Sequence, residues 1–125
     1  MSKILLDTDV LIDLLRGRHS TREFLTHATQ EAIPCCSVIS VAELSAGLRP
    51  GEEAATAALV DALVVMPVTR DIAEVAGRFK RTIRRHTLKL ADCLIAATAF
   101  VEHATLATGN VKDYPMPEVS VVRGR

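Results

Sequence analysis

The sequence predicts a single α/β domain built on a mainly parallel central sheet. Short apolar runs that read as strands alternate with longer stretches of helical periodicity, the pattern of strand–helix–strand units. The chain has 125 residues, the size of one domain, and contains no internal repeat, low-complexity stretch or linker. Hydrophobic residues make up 49% of it and charged residues 24%, which fits a soluble fold with a substantial core. A single domain over residues 1–125 is expected.

Ile4-Leu5-Leu6 is a short apolar run ending at Asp7, the mark of a buried parallel strand. From Val10 the apolar positions change to helical spacing (Val10, Leu11, Leu14, Leu15), and Gly17 closes the segment. A second helix is expected from about Ser20 to Gln30. Ile33 to Ile39 is the next strand, followed by a helix from Ser40 to Leu48 and a break at Pro50-Gly51. Glu52 to Ala62 is alanine-rich and helical, and Leu63 to Val68 reads as a third strand. Thr69 opens a helix with Ile72, Val75, Ala76, Phe79 and Ile83 on one face. Asp92 begins another, Cys93 to His103, apolar nearly all round and therefore central. Leu106-Ala107 and Val119 to Val122 are short final strands.

Composition excludes several classes. Four aromatic residues (Phe24, Phe79, Phe100, Tyr114) leave the core to Leu, Ile, Val and Ala. They are too few for a nucleic-acid reader that stacks bases on aromatic platforms. Fifteen basic residues balance fifteen acidic ones, so attraction to phosphate must come from local patches. Cys35, Cys36 and Cys93 lie in apolar runs with no C-x-x-C pair; they read as buried thiols of a reducing compartment, not a zinc site. The N-terminus meets Asp7 after three apolar residues, unlike a signal peptide. No apolar run reaches the ~18 residues of a membrane helix. A cytoplasmic protein without a membrane partner is expected.

Four carboxylates stand where strands end or helices begin: Asp7, Glu43, Asp92 and Asp113. In parallel sheets ligands bind beyond the carboxyl ends of the strands. Hard divalent cations take oxygen ligands, and phosphodiester cleavage uses such ions to activate water and stabilise the leaving oxygen. Acids gathered in this way repel one another unless a cation neutralises them. Singly, each has an ordinary reading. Asp7 and Asp9 fit a helix N-cap or turn, and Asp92 fits an N-cap. Ser40 and Glu43 fit a capping box, and Asp113 fits a turn aspartate.

Four stretches change the weighing: Ile4-Leu5-Leu6-Asp7-Thr8-Asp9-Val10-Leu11-Ile12-Asp13-Leu14-Leu15, Ser40-Val41-Ala42-Glu43-Leu44-Ser45-Ala46-Gly47-Leu48, Lys89-Leu90-Ala91-Asp92-Cys93-Leu94-Ile95-Ala96-Ala97-Thr98-Ala99 and Ala107-Thr108-Gly109-Asn110-Val111-Lys112-Asp113-Tyr114. Together they closely resemble the PIN domains of VapC-type toxins, in family order and across essentially the whole chain. The resemblance implies a PIN-like α/β/α sandwich and an endoribonuclease dependent on Mg²⁺ or Mn²⁺. It also implies a homodimer and a cognate VapB-type antitoxin that blocks the site. Asp7, Glu43 and Asp92 match the first three family acids. Asp113 fits the acid before an aromatic, while Asn110 occupies a position that is often Asn or Asp. Asp7 and Asp92 are thereby expected to bind metal directly, with Glu43 and Asp113 as further ligands or through water. Thr8 or Thr108 would orient a water or a phosphate oxygen. Asp9 stands where many relatives have Asn, adding negative charge near the metal, and Gly109 replaces a common basic or polar residue.

Arg81, Arg84, Arg85, His86 and Lys89 cluster just before the Asp92 stretch. Arg84 and Arg85 could track an RNA backbone into the acidic site, or simply solvate a helix end. The four histidines show no metal-ligand spacing. Two other enzyme classes share features of the pattern. Asp7-Thr8-Asp9-Val10 also fits the start of haloacid-dehalogenase-like phosphatases, whose later basic residue and acidic pair have no convincing counterpart here. A response-regulator receiver would need a lysine after its last strands, for which Lys112 is poorly placed. A PIN-like fold kept as a catalytically silent binding module is the non-enzymatic alternative.

Overall fold

The computed structural model describes residues 1–125. Its elements are β1 (Ser2–Leu6), α1 (Thr8–Leu15), α2 (His19–Ala28), β2 (Ala32–Ser37), α3 (Val38–Ala46), α4 (Glu53–Asp61), β3 (Val64–Met66), α5 (Arg70–Thr82), α6 (Leu90–Val101), β4 (Ala104–Thr108) and β5 (Val121–Arg123). A 3₁₀ turn spans Val111–Asp113. The strands form one sheet in the order β3-β2-β1-β4-β5, and every pairing is parallel. This order differs from the 2-1-3-4-5 arrangement of flavodoxin-like folds, to which receivers belong.

The central strand shows how the sequence specifies the sandwich. Successive side chains of a strand face opposite ways. Leu5 joins Cys35 and Leu106 in a core with Ile72, Ala76 and Phe79 of α5 and Cys93 and Ile95 of α6. Ile4 and Leu6 point to the other side, where they pack with Cys36, Val10 and Leu11 of α1 and Leu44 of α3. Phe24 of α2 and Leu59 of α4 close that second layer from outside. Both faces of β1 are therefore apolar, which is why it reads as an unbroken hydrophobic run.

Helix α6 buries Cys93 and every residue from Ile95 to Ala99, as its all-round apolar sequence predicts. Helix α5 buries only the stripe Ile72, Ala76 and Phe79, and Thr69 caps it by accepting the Ile72 N–H at 3.3 Å. All three cysteines are buried and unpaired, and burial pushes the Cys36 thiol up to about 11. No helix is long and apolar enough to cross a membrane.

Several boundaries differ from the sequence expectation. The strand expected to Ile39 stops at Ser37, whose hydroxyl accepts the Ile39 N–H at 3.0 Å and starts α3 two residues early. Ser40 is consequently buried inside the helix, and the Ser40–Glu43 capping box does not form. Helix α6 begins at Leu90, so Asp92 is its third residue and accepts the Lys89 N–H at 3.2 Å. Ile83 lies just beyond α5, and the final strand begins at Val121 instead of Val119.

Leu106 is fully buried on β4 between β1 and β5. Leu106→Ala is expected to lower unfolding free energy by about 2–5 kcal/mol, read as a reduced urea midpoint with an unchanged slope.

Candidate active site

The strand order reverses beside β1, where β2 lies on one side and β4 on the other. Ligand crevices of parallel sheets form at such switch points, and the acids assemble there. Asp7 follows β1 directly and caps α1, accepting the Thr8 N–H at 2.8 Å through Oδ1. Its Oδ2 accepts two hydroxyls, Thr108 at 2.8 Å from the end of β4 and Tyr114 at 2.8 Å from the segment after the 3₁₀ turn. The capping role and the acid-site position thus belong to one residue.

Thr8 donates to Glu43 Oε1 at 2.7 Å and lies 2.9 Å from the Ser40 hydroxyl, tying the first turn of α1 to the middle of α3. Glu43 itself is exposed. Asp92 opens α6 near both Asp113 and Glu43, whose negative charges oppose its ionisation. Burial is the larger cause of its raised pKa. Asp113 sits on the 3₁₀ turn, exposed. Asp9 lies in the first turn of α1, where its Oδ2 accepts the Gly109 N–H at 3.0 Å. Its Oδ1 is buried without a hydrogen-bond partner.

These placements join Asp7, Glu43, Asp92 and Asp113 at one edge. Asn110 is exposed, and it approaches the cluster through its backbone N–H, which donates to the Thr108 hydroxyl at 3.1 Å. Thr108, expected as a water or phosphate contact, is fully buried and has its hydroxyl committed to Asp7 and Asn110. Thr8 likewise faces Glu43 and Ser40. Arg84 and Arg85 are exposed beyond α5; Arg85 donates to the Lys112 carbonyl at 3.0 Å, fastening the basic turn to the segment that carries Asp113.

Sequence reasoning missed Tyr114 and Ser40. The available signal was chemical: a tyrosine in an apolar chain needs a partner for its hydroxyl when buried, and Tyr114 is the only one. Burial, then the charge of Asp7, pushes the Tyr114 phenol far above its ordinary range, so it keeps the proton that it donates to Asp7.

The donor set suits a hard divalent cation. Every candidate ligand is a carboxylate oxygen, and after burial negative neighbours add to the raised pKa of Asp7 (Asp9) and of Asp92 (Asp113 and Glu43), a repulsion that a cation would relieve. No three of the acids stand close enough to converge on one ion as their side chains lie. Glu43 and Asp113 are both exposed, and Thr8 holds Glu43.

The PIN domain model matches residues 4–113. This chain belongs to the PIN-domain family. Ribonuclease VapC10 from Mycobacterium tuberculosis is 43% identical to this PIN domain over 117 residues, 92% of this chain and 88% of the relative. Ribonuclease VapC19 from the same organism is 39% identical over 116 residues, 90% and 92% of the two chains. The toxin–antitoxin complex from Klebsiella pneumoniae superposes with a TM-score of 0.82 at 29% identity, covering 98% of both chains. Membership agrees with the α/β/α architecture and removes the support for a phosphatase or receiver.

Burial, then the charge of Asp9, raises the Asp7 pKa from 3.8 to about 6. Because the folded protein holds this proton more tightly than the unfolded chain, its stabilising contribution is full below about pH 4 and is lost as pH rises through 6. In EDTA, unfolding free energy is expected to fall over that window by roughly 2–3 kcal/mol from Asp7 alone. Asp7→Asn should flatten the dependence in melts recorded from pH 4 to 7.

Proposed function

We propose that this chain is the toxin of a toxin–antitoxin pair, an endoribonuclease that cuts RNA phosphodiester bonds and is inhibited by a VapB-type antitoxin. What supports the reading is the nearness of Asp92 to Glu43 and Asp113, with Glu43 tied through Thr8 to the helix that Asp7 caps. It occurs in a chain 43% identical to a named ribonuclease. Asp7 and Asp92 would hold Mg²⁺ or Mn²⁺, with Glu43 and Asp113 completing the set directly or through water. Such an ion, when bound, supplies Lewis-acid stabilisation of the charge that grows on a phosphate under attack.

The chain's own residues prepare the ground for that chemistry. Thr108 and Tyr114 orient the Asp7 carboxylate by two hydroxyls donated to its Oδ2. Thr8 holds Glu43 toward the same edge. Arg84, Arg85 and Lys112 form a basic rim on one side, suited to the phosphate backbone of RNA. Recognition through the backbone agrees with the lack of exposed aromatic platforms, since Phe100 alone of the aromatic residues is substantially exposed. Val38 and Leu90, exposed at the starts of α3 and α6, provide apolar surface near this edge for a second copy of the chain. A dimer is the expected species by light scattering.

The decisive experiment is incubation of total cellular RNA with purified, antitoxin-free protein in Mg²⁺ or Mn²⁺, with EDTA and Asp92→Asn as controls. Discrete fragments are expected with either metal, none with EDTA, and a loss of more than about 100-fold in Asp92→Asn or Asp7→Asn with the fold intact. Full activity in either variant would overturn the assignment. No cleavage by folded wild type would favour a binding module.

A further inference from the structure

The segment following β4 and β5 is seated tightly against the acid site. Gly124 donates its N–H to the Thr108 carbonyl at 2.8 Å, and a Cβ on it would lie 2.7 Å from Val10 Cγ2. This close approach delivers the next residue, Arg125, over Gly109. A Cβ on Gly109 would lie 2.6 Å from Arg125 Cζ, 2.7 Å from its Nη2 and 2.6 Å from Asp9 Oδ2. A side chain there would push the guanidinium and the carboxylate out of the space that glycine leaves them. Two atoms so near one point are within about 5 Å of each other, where opposite charges attract strongly if partly buried.

The guanidinium faces two acids. Its Nε donates to Asp13 Oδ2 at 2.9 Å, while its other edge lies over Gly109 beside Asp9. Asp13 has a second cation, Arg18, at 3.8 Å. Asp9 forms no direct ion pair; the guanidinium over Gly109 stands beside it, and its Oδ1 is buried without a hydrogen-bond partner. Asp9 in turn holds the Gly109 N–H, immediately after Thr108, which donates to Asp7.

We propose that Arg125 is a positioning residue for the acid site, keeping Asp9 on the Gly109 amide and thereby the end of β4, Thr108 and Asp7 in register. Asp9, Gly109 and Arg125 act as one unit, in which the arginine balances a half-buried carboxylate and the glycine leaves room for it. The proposal rests on the ribonuclease reading for its effect on rate, and its structural core is testable without it.

The test is a double-mutant cycle read in two ways. Arg125→Met keeps the apolar stem and removes the charge; in EDTA at pH 7 it is expected to lower the melting temperature by several degrees. In the Asp9→Asn background, where no charge needs balancing and the Gly109 acceptor remains, the same substitution should cost clearly less, the remainder being the lost Arg125–Asp13 ion pair. Asp13→Asn should not rescue. In RNA cleavage, Arg125→Met is expected to reduce kcat about tenfold with KM little changed, and the kcat loss should likewise shrink in the Asp9→Asn background. Rescue by Asp13→Asn instead would mean that Arg125 serves only the Asp13 ion pair. A loss confined to KM, with a reduced salt dependence, would mean that it touches RNA. Either result, or an unchanged melting temperature, overturns the proposal. If wild type cleaves no RNA, the functional reading falls, while the melting cycle still decides the role of Arg125.

Discussion

A carboxylate held at the end of a buried strand is the constraint around which this molecule is arranged. Asp7 is only 8% exposed, yet it directly follows the central strand of the sheet, which has apolar layers on both faces. Such a group is tolerated only with hydrogen-bond partners. Its partners come from three places: the backbone of α1, the last residue of β4, and the segment after the 3₁₀ turn. One side chain thereby fixes how β1, α1, β4 and the 3₁₀ turn meet. The parallel register of β1 with β4 is what brings Thr108 to the right height.

Hydrogen bonding satisfies Asp7 without making it comfortable. Three donors favour its charge, but burial and the neighbouring Asp9 outweigh them. Asp92 is opposed in the same sense by burial, Asp113 and Glu43. The acid site therefore carries electrostatic strain that the cores on either face must offset, as functional sites often do. Anchoring is graded across it. Asp7 accepts three hydrogen bonds, Asp92 is anchored to the start of α6, Glu43 is exposed but held by Thr8, and Asp113 is exposed.

The basic residues follow a different logic. A chain with no net charge has little long-range pull on RNA, so cations matter by location. Arg84 and Arg85 sit on the solvated turn after α5, and Arg85 bridges to the Asp113 segment. Arg125 instead faces inward, over Gly109. The same residue type thus serves a solvent-facing rim at one place and internal charge balance at another.

Much of the architecture was legible from periodicity, because apolar runs and helical stripes are local consequences of burial. The run Ile4-Leu5-Leu6, most of the α5 stripe and the all-round apolar α6 each formed the element read from them, although α6 starts at Leu90 and α5 ends before Ile83. Boundaries were less legible: Ser37 and Ser40 are equally good caps in sequence, and only the length of β2 against its neighbours chose Ser37. The acids were identifiable as a set through four stretches in family order. Their supports were not, since Tyr114, Ser40 and Arg125 reach Asp7, Thr8 and Asp9 across up to 116 positions of chain. By itself, then, the sequence determined which elements form, which faces they bury and which carboxylates are available, because these depend on neighbours a few residues apart. Only the tertiary structure decided which hydroxyls orient Asp7 and which arginine faces Asp9. Those contacts depend on strand order and register, which bring together residues that no local pattern connects.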